Sequence, residues 1–429
     1  MDVLHRWRAS GRFRIRGERD LSASQENHAA QTADPPVSTV GPVGPLLTST
    51  GISVTGDGAF MAAAPLLAAS LTRNPLAIST VTAAFYLPWL LVGLPAGALA
   101  DRWPRRTVMI TADLLRAVVL GALAAVVVSG HATLPLLAAT ILIVGVAQCF
   151  FDASSQAVIP LLVGRGKEAL TKVNGRYWAI DTIGRSLAGP PLGSGAFALS
   201  PTLPFAADAA SFICSAAFIS RLPEMVPSTP HTGSLATAIR AGLRHLRTTP
   251  DLRMLAASMA AYNFAYNLSM ATFVLYATSK LHVATAGYGV LLAVAALGGV
   301  AAGWRAAPLT RPLSYRQMMA IASVLQALAW SGIAAVPNAF AAGAFLAILG
   351  AASTLTSVAA GSARQALTPD DLLGRVVSAF RLFGVGAAGL GALTGGLVAG
   401  EEGLRAPMWG AAVLLLASAV GLRPWRRPS

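Results

Sequence analysis

Charged side chains inside long apolar stretches are the residues of this chain that could do chemistry. Asp57 lies in Thr55-Gly56-Asp57-Gly58, in the middle of one such stretch, and has no basic residue within a helical turn along the chain. An acid in apolar surroundings is suited to take up and release a proton. We predict that Asp57 is a proton-coupling or substrate site. The alternative is a packing residue that is hydrogen-bonded to neighbouring hydroxyl or amide groups.

Two acid and base pairs occur at helical spacing. Asp113 and Arg116 are three residues apart, and Asp181 and Arg185 are four apart, so each pair shares one face of a helix and can neutralise itself. Internal structural pairing is the preferred interpretation, and a part in a proton relay or a gate is the alternative. Two further acids fall at predicted helix ends, where we expect caps or gate residues with a structural role preferred: Asp152 and Asp208.

A group of amide and aromatic side chains could line a cavity. Unpaired amides are costly in lipid, so we expect them to face a cavity or a neighbouring helix, where aromatic rings suit amphipathic solutes. Tyr and Trp are also common anchors at the membrane interface, and this second interpretation stays open. The predicted substrate-cavity residues are Gln148, Trp178, Tyr262, Asn263, Tyr266, Asn267 and Gln326.

The composition requires a membrane to hold these residues. The 429 residues are 55% hydrophobic and only 12% charged, with 41 Gly and 26 Pro, whereas soluble domains are about 25% charged. Nucleophile motifs, nucleotide-binding loops and metal-ligand spacings are missing from the sequence, so we expect neither an enzyme nor a cofactor or metal. We predict an all-α membrane protein with twelve spans at 46–71, 76–100, 107–129, 133–151, 176–199, 204–220, 255–278, 287–306, 317–336, 339–362, 376–400 and 407–422.

The basic residues orient these spans. If the N-terminus is cytoplasmic, 25 of the 32 Lys and Arg residues fall on the cytoplasmic side and only Arg73, Lys280 and Arg405 on the other. This bias predicts a multi-pass protein of the cell membrane with both termini inside, and it explains the net charge of +14 without a nucleic-acid partner. The expected partners are the bilayer, a small-molecule substrate and protons, and we expect a monomer.

The chain divides into two similar halves. Residues 1–44 form a basic tail that we expect to be disordered, and 423–429 form a short C-terminal tail. The linker 222–251 contains an amphipathic stretch with Leu235, Ile239, Leu243 and Leu246 on one face, and it separates the six-helix halves 45–221 and 252–422. Duplicated six-helix units are a known transporter architecture, with the substrate path between the halves.

Two motifs make a family resemblance specific. Gly97-x-Leu-x-Asp101-Arg102-x-x-Arg105-Arg106 resembles the signature loop of the major facilitator superfamily, with Pro104 in place of the usual central Gly. Gly184-x-x-x-x-Gly189-Pro190-x-x-Gly193-Ser194 in the fifth span is similar to the antiporter motif of this superfamily, with Ser194 in place of its last Gly. Wider features resemble its twelve-span exporters of drugs, macrolides and siderophores. The superfamily's usual Arg in the fourth span is absent, which weakens the expected proton route.

The resemblance adds a gate to the predicted site. Asp101 ends the second span on the same face as the start of the eleventh, where Arg381 is its natural partner, and Gly97 would let these two helices approach closely. We expect a latch that closes the cytoplasmic side. The predicted function is proton-coupled efflux of a hydrophobic or amphipathic molecule by alternating access. An uptake symporter of the same fold is the alternative, and a membrane scaffold or sensor is disfavoured by the many charges inside the spans.

Overall fold

Fourteen helices, one π-helical turn and a short helical segment at 243–248 build the part of the protein that the computed structural model describes, residues 43–93, 95–96, 103–164, 167–224, 243–310 and 312–422. The π-helical turn Ile183–Ala188 joins two of these helices, α6 and α7. The helices are α1 Gly44–Leu71, α2 Pro75–Ala84, α3 Leu87–Leu91, α4 Arg105–Val128, α5 Leu134–Val163, α6 Lys167–Thr182, α7 Gly189–Leu199, α8 Leu203–Ile219, α9 Pro250–Ser279, α10 Thr285–Thr310, α11 Tyr315–Ala335, α12 Ala339–Leu367, α13 Asp370–Glu402 and α14 Ala406–Gly421.

Polar caps set the starts of several helices. The Asn74 side chain accepts hydrogen bonds from the backbone N–H groups of residues 76 and 77, just before α2. Asn338 does the same for α12, and Ser314 forms a reciprocal capping box with Gln317 at α11. These caps satisfy backbone donors that would otherwise be unpaired in the first turn, so the loop residues fix where each apolar segment becomes helical.

The length and composition of the helices agree with a membrane-spanning fold. Seven described helices contain segments long and apolar enough to cross a bilayer, and α2, α8 and α14 are shorter apolar helices. The second predicted span is divided, because the chain turns at Phe85 and Tyr86 between α2 and α3. The predicted end of the fourth span at residue 151 is wrong, since α5 continues without a break to Val163. Asp152 is therefore inside a helix and not at its end.

The helices pack as two groups, α1–α8 and α9–α14. In the first group, α1 packs on α7 and α8, and α4 packs on α5 and α8. In the second group, α9 packs on α13 and α14, and α12 packs on α10 and α11. The groups meet where α2 contacts α13 and where α7 contacts α10. This arrangement leaves a space between the two groups.

Several predicted elements lie outside the described residues. They are the basic tail through residue 42, the signature-loop residues Gly97, Asp101 and Arg102, the linker stretch 225–242 with Leu235 and Ile239, and the C-terminal residues 423–429. The last turns of the linker are described: residues 243–248 are helical, and Leu246 is buried against Val376 and Phe380 of α13.

Candidate functional site

A large cavity lies between the two helix groups of the described structure. Its volume is about 650 Å³, and it takes aromatic and small polar side chains from both groups. Arg185 is the one charged residue on its wall in the part of the chain that the structure describes. The aromatic and amide residues of the lining are Phe85, Tyr86, Tyr262, Tyr266, Asn267 and Tyr288.

A hydrogen bond across this cavity links the two helix groups. The Tyr86 hydroxyl, between α2 and α3, donates to Asn267 Oδ1 on α9 over 2.6 Å. Behind it, the ring of Tyr266 lies 6.0 Å from that of Tyr262 and 6.3 Å from that of Trp330, measured between centroids. Linked aromatic rings form a rigid apolar wall, with hydroxyl groups at its edge.

Two of the predicted cavity residues lie elsewhere. Asn263 donates from its side chain to the Met259 carbonyl oxygen, one turn back in α9, and it is not part of the lining. Gln326 is buried between α11 and α12, where its Nε2 donates to Thr356 Oγ1 over 3.1 Å. Gln326 therefore faces a neighbouring helix, which is one of the two positions expected for these amides, and neither side chain lines the two cavities.

A smaller cavity of about 310 Å³ adjoins the first, and it is lined by several charged side chains. The two cavities share four lining residues, Met61, Phe85, Tyr86 and Arg185, so they lie side by side. The smaller one is lined by Gln148 and Trp178, as predicted for the substrate cavity, and by three acids, Asp57, Asp152 and Asp181.

Arg185 connects two of these acids. Its Nη1 lies 3.1 Å from Asp57 Oδ2 on α1, and its Nε lies 3.2 Å from Asp181 Oδ1 on α6. Asp57, which is only 5% exposed, is thus not the isolated acid that the sequence suggested. The basic partner of Asp57 is Arg185, which lies four residues beyond Asp181. The π-helical turn that contains Arg185 brings this side chain to Asp57 on α1.

Glycines bring the fifth span against α1 and so set this geometry. A Cβ atom at Gly58 would lie 2.5 Å from the Arg185 carbonyl oxygen, and one at Gly189 would lie 2.6 Å from Gly58 Cα. A Cβ at Gly193 would meet the backbone of Ala59, and one at Gly184 the side chain of Val54. Three glycines of the antiporter-like motif therefore let the two helices touch through their backbones.

A second polar chain runs from the cavity into the first helix group. Asp152 Oδ1 accepts from Gln148 Nε2 over 2.8 Å, and Gln148 Oε1 accepts from Arg116, which pairs with Asp113. Arg116 is fully buried, and its guanidinium packs on the rings of Phe151 and Phe212 at 4.7 and 4.0 Å. The predicted pairing of Asp113 with Arg116 is present. Gln148 lines the smaller cavity and accepts from Arg116, so it connects this ion pair with the cavity wall.

Asp208 lies against α1, a position that the spacing of residues along the sequence does not predict. It is the sixth residue of α8, fully buried, and its Oδ1 accepts from Ser211 Oγ over 3.0 Å. Its carboxyl lies directly against Gly56, where a Cβ would collide with it. The small residue beside Asp57 thus makes room for a second acid, and Asp208 is not a helix cap as predicted.

The described members of the predicted gate lie at the opposite end from the α7 and α10 contact. Arg105 donates to the Ala157 carbonyl oxygen of α5 over 3.2 Å, and Arg106 is partly exposed at the start of α4. The Arg381 guanidinium on α13 lies 4.1 Å above the Trp89 ring, so this residue joins the two helix groups by a cation–π contact.

Two contacts between the helix groups lie toward the end of the bundle that carries the loops 72–74, 200–202, 280–284 and 403–405. Ser194 Oγ on α7 donates to the Ala286 carbonyl oxygen over 2.9 Å and accepts from the Gly289 N–H over 3.2 Å. On the other side, Gly396 of α13 packs on Ser79 and Leu76 of α2 without room for a side chain. Helices from both groups therefore meet at these two contacts, which we term the seal.

Solved structures with the same arrangement of helices are transporters. A bacterial homologue of the iron transporter ferroportin in an inward-facing state has a TM-score of 0.71 at 16% identity, covering 88% of this chain and 97% of that one. The nucleoside transporter NupG has a TM-score of 0.68 at 15% identity, over 88% and 97% of the two chains. At these identities the likeness establishes the fold alone.

The family follows from the sequence match. The family model described as "Transmembrane secretion effector" matches residues 45–428, so the chain belongs to this major facilitator family and is a multi-pass membrane transporter. The uncharacterized MFS-type transporter YfiS of Bacillus subtilis is 28% identical over 82% of this chain and 86% of the relative. The uncharacterized MFS-type transporter Rv0037c of Mycobacterium tuberculosis is 34% identical, but the match spans only about a quarter of either chain.

Proposed function

We propose that this transporter exports an amphipathic small molecule in exchange for protons by alternating access. The observation that carries the proposal is the aromatic cavity between the two helix groups beside the smaller charged cavity, because Arg185 of the Asp57–Arg185–Asp181 cluster lines both. A substrate in the aromatic cavity would lie next to the groups that bind protons. Exchange requires that the two ligands influence each other, and a shared wall provides this.

The lining supports an amphipathic substrate. Large apolar cavities with a few polar groups bind organic molecules, and the rings of Tyr86, Tyr262, Tyr266 and Tyr288 supply apolar faces with hydroxyl edges. A purely hydrophilic solute would leave these rings in contact with water, and a purely apolar one would leave the charged cluster without a polar partner. The volume of about 650 Å³ suits a molecule of drug size.

Asp57 is the proposed coupling residue. A proton on Asp57 removes its attraction for Arg185, which keeps Asp181 as a partner. The π-helical turn that carries Arg185 continues into α7, and α7 holds the seal through Ser194. Protonation at the cavity can therefore act on the closure of the bundle through one continuous helix. Asp113, Arg116 and Asp181 support this site through the polar chain and the cluster.

The direction and the gate are part of the same proposal. The charge distribution supports an inner-membrane location with both termini in the cytoplasm, which would put the seal on the outside. Gly97, Asp101 and Arg102 would then form the inner latch with Arg105, Arg106 and Arg381. The antiporter-like motif supports export, and the seal glycines are compatible with either direction, so uptake by symport remains the second candidate.

Reconstituted vesicles test the proposal. We expect purified protein in proteoliposomes to move the neutral amphiphile N-phenyl-1-naphthylamine when a pH gradient is imposed, and Asp57→Asn to lower this rate at least tenfold while binding is retained. Glu401→Gln removes an exposed carboxylate of α13 and is the matched control, with no expected effect. Gradient-driven transport that is unchanged in Asp57→Asn would reject Asp57 as the coupling residue. Flux in inverted vesicles, together with a resistance panel in a pump-deficient host, decides between export and uptake.

A further inference from the structure

The π-helical turn of the fifth span ends at a pair of prolines on the wall of the aromatic cavity. The turn Ile183–Ala188 is followed directly by Gly189, Pro190 and Pro191. The Gly189 N–H donates to the carbonyl oxygen five residues back, that of Gly184. A prolyl nitrogen carries no hydrogen, so the next two residues have no backbone donor to offer. Carbonyl groups one turn before the prolines therefore lose their ordinary helical donors.

The Ser186 carbonyl group has no helical donor in either register. Its donor in an α-helix would be residue 190 and in a π-helix residue 191, and both are prolines. The N–H three residues further on, that of Gly189, donates to Gly184 instead. A backbone carbonyl without a donor inside a membrane span costs free energy unless another group donates to it. The Ser186 carbonyl oxygen therefore needs a donor from outside its own helix.

The carbonyl group of Ser186 lies on the cavity side of the helix. Ser186 is exposed and lines the aromatic cavity together with Thr182 and Pro190, which lie one turn to either side. A helical carbonyl points along the axis toward the residue one turn on, so this oxygen lies on the face shared by Ser186 and Pro190. The preceding carbonyl, that of Arg185, is instead covered by Gly58 of α1, where a Cβ atom would lie 2.5 Å from the oxygen.

Packing from both helix groups holds the two prolines in place. On one side, a Cβ atom at Gly189 would lie 2.6 Å from Gly58 Cα, so α1 touches the backbone just before the prolines. On the other side, a Cβ atom at Gly289 of α10 would collide with the Pro190 carbonyl oxygen. The helix is thus enclosed by two backbones at this point, and its prolines cannot turn away from the cavity.

Side chains of the same turn donate elsewhere. Thr182 Oγ1 donates to the Trp178 carbonyl oxygen over 2.9 Å, and Arg185 is paired with two acids. In the part of the chain that the structure describes, the Ser186 hydroxyl also has no hydrogen-bond partner. The donor for the Ser186 carbonyl oxygen must therefore come from the contents of the cavity, which are water or a bound molecule.

We propose that the Ser186 carbonyl oxygen is a substrate-binding group, which accepts a hydrogen bond from an N–H or O–H group of the transported molecule. The inference rests on the proposed function, and it adds one requirement to the amphipathic substrate, a hydrogen-bond donor on its apolar body. A molecule without a donor would displace water from this oxygen without replacing its hydrogen bond, which weakens binding. Pro190 sets this preference, because it keeps the carbonyl oxygen free for the substrate.

Two ligands of equal shape test the inference. N-phenyl-1-naphthylamine has an N–H donor between its aromatic groups, and 1-phenoxynaphthalene has an ether oxygen in the same place. The full chain in nanodiscs is titrated with the amine, and binding is measured as energy transfer from Trp89 and Trp178, which line the adjacent smaller cavity. The ether is measured by displacement of the amine, and empty nanodiscs provide the blank. We expect the amine to bind about fivefold more tightly than the ether, or more. Equal affinities in the parent protein would overturn the inference.

Variants locate the acceptor. Pro190→Ala restores an N–H group four residues after Ser186, which can donate to its carbonyl oxygen, and should reduce the preference for the amine to about twofold or less. Pro191→Ala is the matched control, because its N–H group in α7 faces the Leu187 carbonyl oxygen instead, and the preference should be retained. Ser186→Ala removes the hydroxyl group but keeps the carbonyl group, so the preference should again be retained. A preference that survives in Pro190→Ala, or that is lost in Ser186→Ala, would overturn the assignment to this carbonyl oxygen.

The result separates from the test of the proposed function, because binding is measured without a pH gradient. Gradient-driven movement of the amine together with equal affinities for amine and ether would leave the transporter proposal intact and reject the donor requirement. A preference for the amine that is lost in Pro190→Ala, but without gradient-driven flux, would support the binding group and reject the coupled transport.

Discussion

Gly396 offers a direct test of the seal between the two helix groups. A Cβ atom added there would lie 2.5 Å from Ser79 Cβ and 2.9 Å from Leu76 Cα, and closer still to the Ser79 hydroxyl. Rotating the Ser79 hydroxyl away does not relieve the collision, because the positions of the Ser79 Cβ and the Leu76 Cα are fixed by the backbone of α2. Gly396→Ala therefore overpacks the seal, which costs about 1–3 kcal/mol.

The overpacking energy of Gly396→Ala destabilises only the conformation in which the seal is closed. The contact joins helices of different groups, so it exists when the seal is closed and is lost when the groups separate at that end. A destabilisation of about 1–3 kcal/mol of the closed state shifts the equilibrium toward the open one by about 5- to 150-fold. Gly400, one turn further along α13, is the matched control, since a Cβ there has no atom within 4 Å.

Labelling of a single cysteine measures the shift. In a Cys149→Ala, Cys214→Ala background, Met270→Cys places a thiol on the cavity wall. A membrane-impermeant maleimide is applied to the membrane face that carries the loop 403–405. We expect Gly396→Ala to speed labelling at least fivefold and Gly400→Ala to leave it unchanged. Equal rates in the two variants, or slower labelling in Gly396→Ala, would refute the assignment of this contact to a seal.

Two further predictions concern stability within the first helix group. Arg116→Ala leaves the buried Asp113 without its partner and should destabilise the protein by about 3–5 kcal/mol, which would be seen as a lower melting temperature. Arg176→Ala removes an exposed base and should have little effect. Equal melting temperatures of the two variants would contradict the buried ion pair. Gly193→Ala should lower the melting temperature because its Cβ would collide with the backbone of Ala59, while Gly195→Ala, with no atom within 4 Å, should raise it slightly through helix propensity. A fall of equal size in both would show that the α1 contact does not depend on this glycine.

The sequence was sufficient for the fold because its signals are long and repeated. Apolar segments of bilayer length and caps such as Asn74 and Asn338 act locally, so each can be read without knowing its neighbours. Helix ends were harder to predict. The predicted fourth span ends at residue 151, where the apolar run meets Asp152, Ser154, Ser155 and Gln156, but α5 continues through these polar residues to Val163.

The sequence analysis named the residues of the candidate site, but it did not predict which of them contact each other between helices. Pairs at helical spacing, Asp113 with Arg116 and Asp181 with Arg185, follow from the geometry of a single helix. The contact of Arg185 with Asp57 and the place of Asp208 beside Gly56 depend on how α1 packs on α7 and α8, and nothing in the local sequence encodes the relative rotation of three helices. The glycines flanking Asp57 were the available signal, since they mark where other helices approach.

The glycines of the antiporter-like motif also explain how this motif affects both the packing of the helices and the position of a charged side chain. Gly184, Gly189 and Gly193 set the distance between the fifth span and α1, and that distance places the Arg185 guanidinium 3.1 Å from Asp57. A larger residue at Gly189 would move the π-helical turn away from α1, which breaks the ion pair without changing any charged residue. The backbone contact therefore determines the electrostatics of the cavity wall, and the helix that makes the contact is the same one that reaches the seal through Ser194.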